Sequence, residues 1–256
     1  MKLHANIMGE GTPFLILHGF LGMSDNWKTL GRDFAEAGYQ VHLLDQRNHG
    51  RSPHSPDFSY TEMAGDIQTY LQDHDLREVV LLGHSMGGKT AMTAALLFPE
   101  QISRLIIVDI APKYYPPHHQ KILEGLKAID STELESREEA EELLKSYVKE
   151  PEVRLFLLKN LYRKEKDRLA LRLNLDVLTE KIENLGEAIV SESTFSGPTL
   201  FVKGERSDYI LESDQVEIQR YFPDSEIVTI SGAGNWVHAE KRREFYRSVM
   251  EFLRKS

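Results

Sequence analysis

In a 256-residue chain without cysteine, the residue best placed for covalent chemistry is the serine of Gly83-His84-Ser85-Met86-Gly87. The run Val79-Val80-Leu81-Leu82 before it is apolar and β-branched, as a buried strand requires, and Lys89 to Phe98 after it is helix-forming. A strand, a sharp turn and a helix with serine at the tip make a nucleophile elbow. Its serine is held in strained backbone, and the residues two before and two after must be small for strand and helix to approach. Gly83 and Gly87 meet that demand. A serine hydroxyl at its ordinary acidity is a poor nucleophile, so it needs a base within hydrogen-bonding reach and a third group to orient that base. Of the ten histidines, His238 alone lies in a loop directly after a late strand, which gives the chain order serine, acid, histidine, and it is the expected base. The negative oxygen that develops on an attacked carbonyl needs preorganised donors, and this layout supplies them as the backbone N–H groups of Phe20 and Met86.

Other histidines fit quieter roles. His18, His49 and His84 are expected to crowd the same rim and order its loops, and His118-His119 reads as a surface pair. No two histidines stand at the i, i+4 interval of a metal-binding helix, so no metal is expected.

The elements that must carry these residues follow from pattern. Phe14-Leu15-Ile16-Leu17-His18, Val41 to Asp45, Arg104 to Asp109, Thr199 to Gly204 and Glu226 to Ile230 are short apolar runs typical of strands buried on both faces. Between them lie a helix with Trp27, Leu30 and Phe34 inward, one opened by the capping box Ser59-Tyr60-Thr61-Glu62, one from about Ser213 to Tyr221, and a closing helix from Arg242 to Leu253. Strands alternating with helices at this spacing predict a parallel, doubly wound α/β sheet. From 116 to 195 the alternation stops. No strand is expected there, only helices over 118–129, 136–149, 151–162 and 176–189. This stretch is read as a helical cap inserted into a core of residues 1–115 and 196–256, with the acid-rich 130–142 stretch as its solvated face.

Composition narrows the partners. A net charge of −9 repels phosphate backbones and anionic membrane surfaces, so nucleic acid is not an expected partner. No segment approaches the roughly 18 apolar residues of a membrane span, and the start Met1-Lys2-Leu3-His4 opens no signal-peptide stretch. No membrane association and a cytoplasmic location are therefore expected.

The chain resembles the α/β-hydrolases, and within them the YbfF-type bacterial esterases. The resemblance spans nearly the whole chain and is carried by His18-Gly19-Phe20-Leu21-Gly22, Asp45-Gln46-Arg47-Asn48-His49-Gly50-Arg51-Ser52, Gly83 to Lys89, Val108-Asp109-Ile110-Ala111-Pro112 and the His238 loop. It implies an eight-stranded, mostly parallel sheet flanked by helices, a helical cap, no cofactor, and hydrolysis of small carboxylic esters with short to medium acyl chains through an acyl-enzyme. A monomer or small homo-oligomer is expected. In the superfamily the triad acid commonly follows a glycine in a Gly-x-x-Asp pattern, which falls here on Gly204-Glu205-Arg206-Ser207, so that a serine stands where the acid would be. The resemblance to the closer group favours Asp109 as the acid, with Asp208 as second choice and Ser207 as an accessory. A second departure is Asn235, where relatives commonly read Gly-His-Trp-Val-His. Phe20, His84, Tyr115 and Trp236 are expected to line the substrate pocket. Thioesters, lactones or perhydrolysis remain open on the same residues, and so does a non-catalytic ligand receptor of this fold. An aspartate-nucleophile dehalogenase or epoxide hydrolase does not fit Ser85.

Overall fold

The computed structural model describes residues 1–165 and 168–255. Nine strands are found among them: β1 Ala5–Met8, β2 Thr12–Leu17, β3 Tyr39–Leu44, β4 Val79–His84, β5 Ile102–Val108, β6 Leu161–Glu165, β7 Arg168–Leu171, β8 Thr199–Gly204 and β9 Ser225–Ile230. Seven form one sheet in the order β1-β3-β2-β4-β5-β8-β9. Only β1 runs antiparallel, against β3; all other pairings in the sheet are parallel. The sheet therefore has seven strands among the described residues, not the eight implied by the resemblance. The extra edge strand β1 is hidden in sequence because its four residues are at most half-buried and carry no apolar run.

Side chains alternate across the sheet. Leu15, Leu17, Leu81, Leu105 and Ile107 pack beneath α2 (Tyr60–Asp73) and α3 (Met86–Leu97), whereas Phe14, Ile16, Val80, Leu82 and Ile106 pack on the opposite face with α1 (Lys28–Glu36). Such double burial is why these strands read as continuous apolar runs. The chain winds from β2 outward to β3 and then crosses to β4 on the other side of β2, with Leu17 level with Gly83. Loops leaving the carboxyl ends of β2 and β4 thus diverge side by side, the place where ligands bind in open α/β sheets.

Over that edge lie α4 (Gln120–Ser131), α5 (Arg137–Leu144), α6 (Pro151–Leu158), α7 (Leu175–Glu180) and α8 (Ile182–Gly186). Their apolar residues, among them Leu126, Leu144, Leu157 and Leu178, share one cluster with Phe20, Leu21, Met63 and Met86 of the sheet edge. No strand is expected in this region from sequence, yet β6 and β7 pair antiparallel within it, Leu161 level with Leu171. Only one residue of each strand is buried, so the pair lacks the apolar signal of a core strand; the Arg172 guanidinium stacked 4.3 Å from the Tyr162 ring supports the pairing. The expected helices are accordingly cut short: α6 stops at Leu158, α5 at Leu144, and the 176–189 helix divides into α7 and α8 at Lys181. Residues 166 and 167 of this span lie outside the described residues. The chain closes with α9 (Gln215–Tyr221), α10 (Val237–Glu240) and α11 (Arg242–Leu253).

Candidate active site

Ser85 joins β4 to α3 with φ of 51° and ψ of −117°, a conformation that costs a non-glycine residue of the order of 1–3 kcal/mol and persists only where the surroundings enforce it. They do so here by contact. A Cβ on Gly83 would lie 2.0 Å from the Gly87 carbonyl oxygen, and one on Gly87 would lie 2.5 Å from the Leu17 carbonyl oxygen. The Ser85 N–H donates to the Val108 carbonyl at 3.0 Å, which ties the turn to the end of β5.

The loop after β2 is fixed just as completely. Gly22 N–H donates to the Gly19 carbonyl (3.0 Å) and Leu21 sits at φ of 58°. His49 holds this loop from below: its Nδ1–H donates to the Arg47 carbonyl (2.8 Å), which leaves Nε2 to accept the Leu21 N–H (3.2 Å). Burial holds the His49 imidazole neutral, with its pKa down at about 3. From above, the Asn160 side-chain amide donates to the Leu21 carbonyl at 2.8 Å. Among the described residues no protein acceptor takes the N–H of Phe20 or Met86. Both are therefore free for a ligand oxygen.

Asp109 follows β5 at φ of 53° and is buried. Its Oδ2 accepts the Ser207 hydroxyl at 2.7 Å and its Oδ1 accepts the Gly204 N–H at 3.3 Å. Desolvation outweighs these bonds and pushes its pKa up to about 6. Ser207 thus stands against Asp109. Asp208, the second-choice acid, is exposed and makes no hydrogen bond among the described residues.

The structure does not bring His238 to these groups. Its ring stacks on Trp27 with centroids 4.1 Å apart and planes 9° from parallel, tilts against His84 at 4.6 Å and meets the Phe245 ring at 6.4 Å. No hydrogen bond joins it to Ser85 or Asp109 among the described residues, and its Nδ1 is buried without a partner. Burial first, then the neighbouring His84 and Lys159, drives its pKa well below the ordinary value. The cause is local. The Glu240 carboxylate accepts the N–H groups of Gly234 (2.8 Å) and Trp236 (3.2 Å), closing the short helix α10, which turns Val237 and His238 into the core and leaves Asn235 exposed.

Beside Ser85 lies a slot of about 40 Å³, lined in part by Phe20, Tyr60, Met86, Tyr115, His119 and Tyr209. Phe20 and Tyr115, two of the four residues expected at a substrate pocket, line this slot. His84 and Trp236 do not: the His84 ring faces Trp27 (6.3 Å) and its Nε2 meets the Asn235 carbonyl (3.1 Å), while Trp236 packs 5.2 Å from Phe156 of α6. Side-chain alternation along β4 sends His84 to the face opposite the slot. Tyr60, Tyr209 and His119 escape the sequence reading. His119 is expected at the surface, yet its ring lies edge-on to Phe20 at 5.1 Å and burial lowers its pKa to about 4. Only the fold of the segment after β5 reveals this, since adjacent polar residues ordinarily read as exposed. Among the described residues no group of three His, Cys, Asp or Glu is placed to hold a metal.

A family model described as alpha/beta hydrolase fold matches residues 12–242. The chain is 40% identical to an sn-1-specific diacylglycerol lipase of Mus musculus over 99% of this chain and 85% of that protein. It is 31% identical to the esterase YbfF of Escherichia coli over 95% and 94% of the two chains. Among solved structures it superposes on a marine microorganism esterase with a TM-score of 0.95 at 41% identity, covering 98% of this chain and 99% of the other.

Proposed function

The chain belongs to the α/β-hydrolase family, and we propose that it is an ester-hydrolysing enzyme that uses Ser85 to cleave small carboxylic esters through an acyl-enzyme, beneath a cap formed by residues 116–195. The observation that carries this reading is the paired geometry at the sheet edge: Ser85 strained outward at the elbow, with the free N–H groups of Phe20 and Met86 beside it. In the reaction a base, from the site or from solution, takes the Ser85 proton as Oγ bonds to the ester carbonyl carbon. The two N–H groups receive the negative oxygen, and collapse of that intermediate expels the alcoholate, which takes up a proton. Water then repeats the sequence on the acyl-enzyme and frees the carboxylic acid. Asp109, held by Ser207, supplies the negative charge that a base turning cationic needs nearby. Relatives named as esterases and a lipase support the substrate class. The narrow slot supports a short acyl group.

The test is hydrolysis of p-nitrophenyl esters from acetate to dodecanoate, with and without added imidazole, against Ser85→Ala protein as blank. Ser85-dependent turnover, highest on the short chains, is expected. If no ester is turned over above the blank under either condition, the reading fails. One observation favours a second reading, a hydrolase-fold protein that binds its ligand without cleaving it: the withdrawal of His238 against Trp27. The same assay separates the two.

A further inference from the structure

The serine-hydrolase reading leaves one role unfilled, that of the group which removes the Ser85 proton, and the inference that follows rests on that reading. His238 cannot serve in this arrangement: it lies in the core against Trp27 and Phe245, and the side-chain and backbone donors on Asp109 are Ser207 and Gly204. The base of such a site must touch the nucleophile on one side and the buried acid on the other.

Three contacts run the 232–240 loop between the support of that acid and the residue next to that nucleophile. The Asn235 carbonyl meets Nε2 of His84, the residue immediately before Ser85, at 3.1 Å. The preceding Gly234 and Ala233 lie against Gly204, where an added Cβ would come within 2.2 Å of the Gly234 carbonyl oxygen and 2.7 Å of that of Ala233. The Gly204 N–H in turn donates to Asp109. The loop therefore passes from the acid's support to the nucleophile's neighbour, with Asn235 the next residue after Gly234. Its side chain is exposed and makes no hydrogen bond among the described residues. The Arg206 N–H on the Ala233 carbonyl (2.9 Å) and the Glu240 carboxylate on the N–H groups of Gly234 and Trp236 hold the loop on both sides of it.

We infer that position 235, not 238, is the general-base position of this site, and that Asn235 leaves Ser85 without a base of its own. A carboxamide has no basic lone pair at neutral pH, so it cannot accept the hydroxyl proton as the Oγ–acyl bond forms or return it to the departing alcoholate. His238 is a core residue in this arrangement, and its stacking on Trp27 is its structural role.

The experiment is Ser85-dependent hydrolysis of p-nitrophenyl acetate by the full chain, by Asn235→His and by Asn235→Gln, each across pH and with added imidazole. A free base that fills the empty position takes the Ser85 proton and gives it to the leaving group, so the unmodified chain is expected to accelerate with imidazole. Asn235→His is expected to raise kcat by about 10²- to 10⁴-fold, the ordinary contribution of a positioned base, and to add a pH-rate limb near about 6.5. That variant should lose its response to imidazole, whereas Asn235→Gln, which adds no basic nitrogen, should keep it. An unmodified chain that is fast without imidazole, keeps its rate within about twofold in Asn235→His, and loses it in His238→Gln overturns the inference while leaving the hydrolase reading intact. Absence of Ser85-dependent turnover in the unmodified chain and in Asn235→His, with or without imidazole, overturns both. The exposed position of Asn235 keeps the histidine variant clear of the core, and the imidazole response needs no substitution at all.

Discussion

Ser85 is flanked by two loops that are held in opposite senses. The loop after β2 is locked so that the Phe20 N–H is left without an acceptor: the Gly19 carbonyl, His49 and Asn160 fix the backbone on both sides of Phe20, and all of these partners are buried. The loop after β9 is locked as firmly, by Glu240 and Arg206, but in a form that takes its histidine away into the core. Order alone therefore does not make a catalytic site. What differs is which atoms each set of bonds presents: backbone N–H groups are delivered wherever the main chain goes, whereas a side chain is delivered only if its residue falls on the right side of a turn.

The comparison can be broken hardest at the elbow. Gly83→Ala places a methyl 2.0 Å from a carbonyl in the locked turn, and neither backbone can yield. The expected outcome is loss of Ser85-dependent turnover and at least about 3 kcal/mol of stability, read by denaturant titration. On the other side, Trp27→Ala removes the fully buried ring on which His238 stacks. Unfolding measurements should show a loss of about 3–5 kcal/mol, the range for excising a large aromatic from a core. A smaller effect separates donor placement from packing. His49→Leu leaves the Leu21 N–H and the Arg47 carbonyl buried without partners, for about 1–3 kcal/mol, and lets the donor loop move. Its kcat should fall while KM changes little, since the role proposed for the Phe20 N–H acts on charge that develops during reaction.

The last prediction concerns Asp109 and carries a sign. Its folded pKa of about 6 lies above the ordinary carboxylate value near about 3.9, so between those limits the folded chain binds more protons than the unfolded one. Stability from this group is full below about pH 4 and lost as pH rises through about 6. Asp109→Asn should therefore be more stable than the parent at pH 8, on the order of 1–3 kcal/mol, and indistinguishable from it at pH 4. Thermal melts at the two pH values check this. Equal stability at pH 8 would mean that Ser207 and Gly204 already compensate the buried charge.

Much of this architecture is legible in the amino-acid sequence. The strands of the sheet other than β1 stand out as apolar runs, the five inner ones because both faces are covered, the edge strand β9 although only Ile230 of it is buried. The elbow stands out because its strain demands glycine at two fixed offsets, a requirement written within five residues. Phe20 and Met86 can be named as candidate donors for the same reason: the proposed roles depend on main-chain position. The candidate acid is half legible: the resemblance favours Asp109 over Asp208, and only the fold shows Asp109 buried against Ser207 and Gly204 while Asp208 is exposed. The β6–β7 pair escapes because it has almost no buried face.

What the amino-acid sequence determined by itself is everything that short-range sterics and alternating burial control: the sheet, the elbow, the donor loop and the family. What only the tertiary structure decided is where the polar side chains go. His238 has the right residue type in the right loop, but α10 turns it toward Trp27, and His119, one of an adjacent polar pair, is turned inward onto Phe20. A rotation of one or two residues about a short helix reverses the direction of a side chain, and that rotation is set by contacts between residues far apart in the chain, such as Gly204 with Gly234 and Trp27 with His238.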